Sequence, residues 1–398
     1  MTSTDDSGRE QRAQQLRSEL AAAVVRDERA DGWRQAVETV PRHRFAPGFY
    51  LPAEKPSPRG FTWWEPVTTE RDPERWLTAV YTNQSLVTQF DGDEPDWENP
   101  EPRDGGSPTS SSTLPSLVVR MWEDADLAEG QDILEIGTGT GYSTALACER
   151  YGSDAITTVE VDNHRLEQAA TALYGLGYTP DLAVADGLYG YWPSAPFDRI
   201  VAACSVRTVP RPWIAQTRPG GKILTTLGGW QFGFGRTLLT VHEDGTASGP
   251  LLPGAVSFML ARPHQAPGFG NPAHWNTLLA DAVPTITHHT LDWLTAESEE
   301  AFFTRFLIQS ALPNSQITTI DDTTCLIDIT TGSVAALTPD GDRLHVRQAG
   351  PLRLWDRVEE VLDAHAAAGH PGPDTFRLTV DAAGQHLQHR EMPAISLE

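Results

Sequence analysis

Ile133-Leu134-Glu135-Ile136-Gly137-Thr138-Gly139-Thr140-Gly141 decides the fold. An apolar run that stops in three alternating glycines reads as a buried strand feeding a tight turn, and a helix is expected from Tyr142 to about Arg150. Glycines at 137, 139 and 141 allow positive φ and let a ligand approach where a Cβ would stand. The helix N-terminus just beyond offers unpaired N–H groups to an anion, so a nucleotide-like ligand fits the turn.

The spacing narrows the ligand. A dinucleotide fingerprint has its third glycine three residues after the second, whereas Gly141 follows Gly139 by two, and an acid, Glu135, precedes the loop. The next apolar strand, Ala155 to Val159, ends in Glu160, where a carboxylate can accept hydrogen bonds from both hydroxyls of a ribose. An ordinary βαβ turn with exposed acids is the plainer reading of the same residues. The combination resembles class I S-adenosylmethionine-dependent methyltransferases, which implies an α/β fold with a Rossmann-like, doubly wound sheet and S-adenosyl-L-methionine as cofactor. The resemblance assigns cofactor contacts to Glu135, Gly137, Thr138, Gly139, Gly141, Tyr142, Glu160 and Val161. A third strand, Leu182 to Ala185, ends in Asp186-Gly187. In methyltransferases an acid at that tip meets the adenine amino group; Asp-Gly is also a strong turn signal, so Asp186 and Gly187 carry both readings.

Composition sets outer limits. A chain of 398 residues exceeds the usual single domain, so two domains are expected, and 39% apolar residues suffice for a core in each. No apolar run approaches the roughly 20 residues that span a bilayer, and the polar N-terminus lacks the apolar region of a signal peptide. A cytoplasmic protein is expected, with no membrane partner. Cys148, Cys204 and Cys325 lie far apart and without metal spacing, as reduced structural thiols would. A net charge of -24 disfavours nucleic acid, whose phosphates want a basic surface, and also serves solubility.

Along the chain, residues 1 to 9 read as a disordered tail and Gln11 to Val25 as an amphipathic helix, with Leu16, Leu20 and Val24 at fourfold spacing. A short helix from Trp33 leads to Val40-Pro41-Arg42-His43-Arg44-Phe45, where Pro41 should end it. Arg42 and His43 read either as catalytic or as helix-end packing, with packing the default. Val-Pro-Arg-His before an aromatic residue, upstream of the glycine loop, is similar to the N-terminal signature of protein-L-isoaspartate O-methyltransferases. Residues 51 to 116, rich in proline, tryptophan and acids, read as a lid or insertion with a substrate loop and a strand-like core at Ala79 to Thr88. The run Ser107 to Ser116 by itself reads as a linker. In the isoaspartyl family a hydroxyl residue two before a proline contacts the substrate carboxylate, which by resemblance makes Thr113, with Ser112 beside it, the catalytic position. That family more often has serine there and histidine after the proline, where this chain has Ser116.

The remaining boundaries follow composition: a helical segment 1–50, the insertion 51–116, a cofactor core 117–262 whose last strand is Val256 to Leu260, a linker 263–271 and an α+β domain 272–398. The last resembles the tails of methyltransferases acting on ribosomally made, modified peptides such as lanthipeptides, lasso peptides or graspetides. The resemblance implies methylation of an aspartate side chain in a cyclised peptide, leading through succinimide to isoaspartate. Repair of isoaspartyl residues in damaged proteins is the second reading, and a non-catalytic peptide-presenting scaffold the third. His288-His289 and the pair His386 and His389 suggest no metal site, because adjacent histidines splay apart on regular elements and no partner has ligand spacing.

Overall fold

A computed structural model describes residues 3–25, 31–341 and 343–397. The chain forms two compact units, Met1–Ala203 with Ala215–Leu224, and Cys204–Ile214 with Thr225–Glu398.

The first unit opens with α1 (Ser3–Val24) and α2 (Asp31–Thr39). Helix α1 starts at Ser3, so most of the expected tail is helical; Met1 and Thr2 lie outside the described residues. Ala13, Leu16, Leu20 and Ala21 bury one face of it, while Val24 is only half-buried. Strands β1 (Gly48–Pro52) and β2 (Trp63–Thr68), helix α3 (Pro73–Val80), then β3 (Leu86–Phe90), β4 (Arg103–Asp104) and β5 (Pro108–Ser112) follow. They form an antiparallel sheet in the order β4-β2-β1-β3-β5. This corrects the expectation of an irregular insertion. Tyr50, Val87 and Phe90 make a separate core on which Trp64 and Trp97 pack, so the tryptophans close a small sheet. Ala79 and Val80 end α3 instead of starting a strand, because Asp72 caps its N-terminus and Pro73 sits in its first turn.

Helix α4 (Pro115–Asp124) leads to β6 (Ile133–Ile136), α5 (Tyr142–Tyr151), β7 (Ile156–Glu160), α6 (Asn163–Gly175) and β8 (Asp181–Val184). With the first parts of β9 (Phe197–Val206) and β10 (Thr217–Gly228) they complete this unit, in the sheet order β10-β9-β6-β7-β8. β8, β7, β6 and β9 pair in parallel, and Ile133, Leu134 and Ile136 are buried at the centre, as an apolar strand covered on both faces requires. The order reverses between β6 and β9, the place where open α/β sheets take ligands. Arg218-Pro219-Gly220-Gly221 lies inside β10.

In the second unit α7 (Arg211–Ala215) precedes β11 (Phe234–Val241), β12 (Ala247–Leu252), α8 (Pro272–Leu279), β13 (Thr285–Thr287), α9 (Asp292–Thr295) and α10 (Glu299–Ala311). Then come β14 (Ser315–Ile320), β15 (Thr323–Asp328), β16 (Ser333–Asp340), β17 (Arg343–Ala349), α11 (Leu354–Ala367), β18 (Arg377–Asp381), β19 (Gly384–His389) and β20 (Met392–Leu397). β11, β12, β18, β19 and β20 pair as antiparallel neighbours, and β13-β17-β16-β15-β14 is a second antiparallel sheet.

Compactness therefore divides the chain differently from composition. Residues 225–262, expected with the cofactor core, group with the C-terminal residues because β12 is laddered to β18, Ala247 facing Val380 and Gly249 facing Leu378. Val256 to Leu260 is no sheet strand: its ladder is a single bridge from Leu260 to Ser205. The expected linker is tethered too, since the His264 carbonyl accepts from Trp230 Nε1 at 2.8 Å.

Candidate active site

The glycine loop joins β6 to α5 with φ of +98° at Gly137, +55° at Gly139 and +87° at Gly141. A Cβ at Gly141 would lie 3.1 Å from Ala169 Cβ on α6, so the loop is pressed onto the next helix. At Gly139 nothing stands closer than the Ser111 carbonyl oxygen, 3.7 Å from where a Cβ would be. The hydroxyl-rich end of β5 thus sits beside the loop that sequence assigned to the cofactor. Position brings the two stretches together despite the 28 residues or so between them.

Glu160 ends β7, half-buried, with Oε2 accepting from the Gly139 N–H at 2.9 Å and Oε1 from the Asp162 N–H at 3.1 Å. Each carboxylate oxygen keeps a further lone pair. Val161 beside it is 45% exposed, an apolar surface at the strand tip. Asp186 follows β8, accepts from the Leu188 N–H at 3.0 Å and so caps a short 3-10 turn starting at Gly187. Both readings of Asp-Gly are thereby compatible with its place, turn cap and strand-tip acid. A Cβ at Gly187 would meet Ile136 Cγ2 at 2.4 Å, which explains glycine there.

Three of the residues expected at the cofactor have side chains engaged within the protein. Glu135 is fully buried, and its carboxylate accepts from Ser143 Oγ and Thr144 Oγ1, each at 2.6 Å, and from Thr158 Oγ1 at 3.0 Å. Burial pushes its pKa up, and the three hydroxyls oppose that rise. It braces the loop from below, buried and hydrogen-bonded at both oxygens. Thr138 likewise turns its hydroxyl onto Thr158 Oγ1 at 2.8 Å, leaving its backbone to line the loop. Tyr142 is buried against Phe45 under the Arg42 guanidinium, and burial pushes its phenol up to about 12. A ring at the start of a helix against the preceding segment belongs to the core.

The hydroxyl loop sorts in the same way. Ser112 is 1% exposed and faces Arg42, whose Nε donates to Ser112 Oγ at 3.3 Å. Thr113 is half-buried, and its hydroxyl makes no hydrogen bond among the described residues. Of the two residues expected to be catalytic, only Thr113 therefore has a side chain free to meet a substrate. Arg42 holds the backbone around it: the guanidinium donates to the carbonyls of Val80, Thr82, Gln84, Ser112 and Thr113 at 2.8 to 3.1 Å. Complete burial lowers its pKa to about 10, so it stays a cation at neutral pH. Sequence reasoning placed Arg42 at a helix end; its role as the hub of three segments required tertiary contacts. His43 packs beside it, with Nδ1 2.7 Å from Tyr81 Oη and a pKa lowered to about 4 by burial. Gln89 was also missed; it donates to Asp162 Oδ2 at 3.0 Å, joining the small sheet to the start of α6.

Residues 86–233 match the family Protein-L-isoaspartate(D-aspartate) O-methyltransferase (PCMT). The span runs from β3 through the hydroxyl loop and the glycine loop to the end of β10, which is the site just described. A protein-L-isoaspartate O-methyltransferase of Thermococcus onnurineus is 38% identical over 135 residues, 33% of this chain and 60% of that protein. Protein-L-isoaspartate O-methyltransferase 1 of Archaeoglobus fulgidus is 32% identical over 158 residues, 39% of this chain and 65% of its own length. This chain thus spans less than two thirds of the curated relatives it matches. A solved protein-L-isoaspartate O-methyltransferase is similar at 20% identity and a TM-score of 0.49, across 94% of this chain and 99% of that one. The fold is that of class I S-adenosylmethionine-dependent methyltransferases, with an N-terminal helical segment and further α+β structure after the parallel sheet. Among the described residues no helix is long and apolar enough to cross a membrane, and Cys148, Cys204 and Cys325 form no disulfide.

Proposed function

We propose that this protein transfers a methyl group from S-adenosyl-L-methionine to a peptide carboxylate, with an isoaspartyl residue as the acceptor. The carrying observation is that the end of β5 lies beside the Gly139 turn, through the Ser111 carbonyl, two residues before Thr113, whose hydroxyl makes no hydrogen bond among the described residues. The cofactor residues fit: Glu160 has lone pairs for ribose hydroxyls, Val161 offers an apolar face, Asp186 stands at the third strand tip, and the Gly139 backbone is open to close approach. The bound cofactor supplies an electrophilic methyl.

The chain's own residues then need only position the acceptor. A carboxylate with an ordinary pKa near 3.9 is already an anion at neutral pH, so no general base is required. Thr113 donates its hydroxyl to one acceptor oxygen and points the other at the methyl; Arg42 keeps that residue in place through the carbonyls of Ser112 and Thr113. Holding the reactants in line is the main catalytic contribution available here. In the methyl ester formed the carboxylate oxygen has become a methoxy leaving group: attack of the next backbone nitrogen on the ester carbonyl expels methanol and yields a succinimide, which water opens to aspartate or isoaspartate.

A finer reading, tailoring of an aspartate in a cyclised ribosomal peptide, draws support from Thr113 and Ser116 at positions where serine and histidine are the more frequent pattern. One experiment separates them. The full chain is incubated with labelled cofactor and paired peptides, one isoaspartyl and one aspartyl, in several unrelated sequences, each in linear and cyclised form. Methylation of the isoaspartyl member in every pair supports the repair-type reading. Methylation of aspartate in cyclised peptides alone supports the tailoring one, and labelling of neither removes both.

A further inference from the structure

Two neighbouring histidines on a strand would point to opposite faces, but β13 ends at Thr287, and His288 and His289 follow in a bend. Their ring centroids lie 4.1 Å apart. Facing them, α11 presents Glu359 and Asp363, one turn apart and hence on one side of the helix. One ligand atom each of His288, His289 and Glu359 fall within 4.8 Å of one another. Asp363 Oδ1 stands 3.1 Å from His289 Nε2 and 3.8 Å from His288 Nε2. The expectation that these histidines splay apart is therefore wrong, because the bend releases them from the strand's alternation.

We propose that His288, His289 and Glu359 bind a divalent transition-metal ion of the zinc type, with Asp363 holding the imidazoles in place. The donor chemistry selects the metal. Two imidazoles with one carboxylate suit zinc, nickel or cobalt, whereas magnesium and calcium prefer oxygen throughout. Ligand atoms around a zinc ion with bonds of about 2.1 Å stand roughly 3.4 Å apart, so small side-chain rotations close the present spacing.

The donors are also supported from behind. Glu359 Oε1 accepts from the Thr287 hydroxyl and from Trp355 Nε1 at 3.0 Å, and Trp355 is 1% exposed. The His289 N–H donates to Thr287 Oγ1 at 3.2 Å. A carboxylate against a metal-bound imidazole, as Asp363 stands against His289, orients the ring and raises its basicity. Two carboxylates a turn apart on one helix repel, and a cation between them and the histidines removes that repulsion. The ion would tie the end of β13, an edge strand, to α11.

The test uses the untagged full-length chain, stripped with chelator and titrated with zinc chloride by calorimetry, with magnesium chloride as the comparison. Saturable uptake of one zinc per chain at micromolar or tighter affinity is expected, with at least tenfold weaker magnesium binding. His289→Ala should weaken zinc at least tenfold. His288→Asn should do the same, and because that side chain is 76% exposed its replacement leaves the fold intact. Cobalt(II) should give visible absorption bands that both variants lose. Absence of saturable zinc uptake, or unchanged affinity in the two folded variants, would overturn the site.

Discussion

Glu160 and Thr113 are the residues on which the proposed chemistry turns. Glu160→Ala should weaken S-adenosylmethionine binding about tenfold to a hundredfold, the equivalent of roughly 1.5 to 3 kcal/mol for hydrogen bonds to a charged acceptor. Part of that loss comes from the Gly139 N–H, which loses its own partner. Calorimetric titration decides it, and unchanged affinity would take Glu160 out of the site. Thr113→Ala should lower turnover about tenfold or more with little change in cofactor affinity, while Thr113→Ser keeps most of both. Ser112→Ala is the control: facing Arg42, it should cost about 1 kcal/mol of stability and leave turnover near the parent value. Parent-like turnover in Thr113→Ala would show that the hydroxyl loop had been misaligned with the isoaspartyl pattern.

At the scale of elements, the start of α6 joins the small antiparallel sheet to the cofactor strands. Asp162 caps α6 by accepting from the His164 and Arg165 N–H groups, and it receives the Gln89 amide on its other oxygen. Glu94, from the acidic stretch, pairs with Arg165 and accepts from Gln168 at 2.7 Å on the same helix. Asp162→Ala should destabilise the protein by about 1 kcal/mol, the usual worth of an N-cap. It should also speed amide exchange at 163–166 and in β3, read by hydrogen exchange with mass spectrometry. Exchange that rises in the helix but not in β3 would show that Gln89 contributes nothing to the link.

Two predictions belong to the whole molecule. A chain cut near Pro263 would keep β12 but lose β18, leaving an open edge where Ser248 faces Thr379. Such a fragment should aggregate or melt well below the full chain, so substrate recognition by residues beyond 270 is better probed with point variants. A soluble fragment with the parent melting temperature would contradict this. The second concerns pH. His43 has a folded pKa of about 4 against 6.5 when unfolded, because burial disfavours its charged form. The unfolded chain therefore binds more protons between those values, and the stabilisation, at most about 3 kcal/mol, is complete above pH 6.5 and lost as pH falls towards 4. His43→Gln should flatten the slope of urea-unfolding stability across that window. An unaltered slope would assign the acid sensitivity elsewhere.

The local pattern of residues 133–187 was enough for the α/β class, the glycine turn and the strand-tip acids, because a buried parallel strand must be apolar and a tight turn needs glycine whatever surrounds it. It was not enough for burial of polar groups. Glu135 looked like a ligand-facing acid until Ser143, Thr144 and Thr158 were seen to occupy both of its oxygens. Ser112 and Thr113 are adjacent hydroxyls of similar chemistry, and which of them faces the site depends on Arg42, some 70 residues earlier. The tryptophan-rich stretch read as irregular because its periodicity is broken by prolines, yet antiparallel pairing and aromatic packing complete a sheet from it. The paired histidines read as divergent for the opposite reason, that regular alternation was assumed where the strand had ended. Sequence determined what each segment would do alone; only tertiary structure decided which polar groups were spent on one another, since hydrogen bonds between distant segments leave no periodic trace in either.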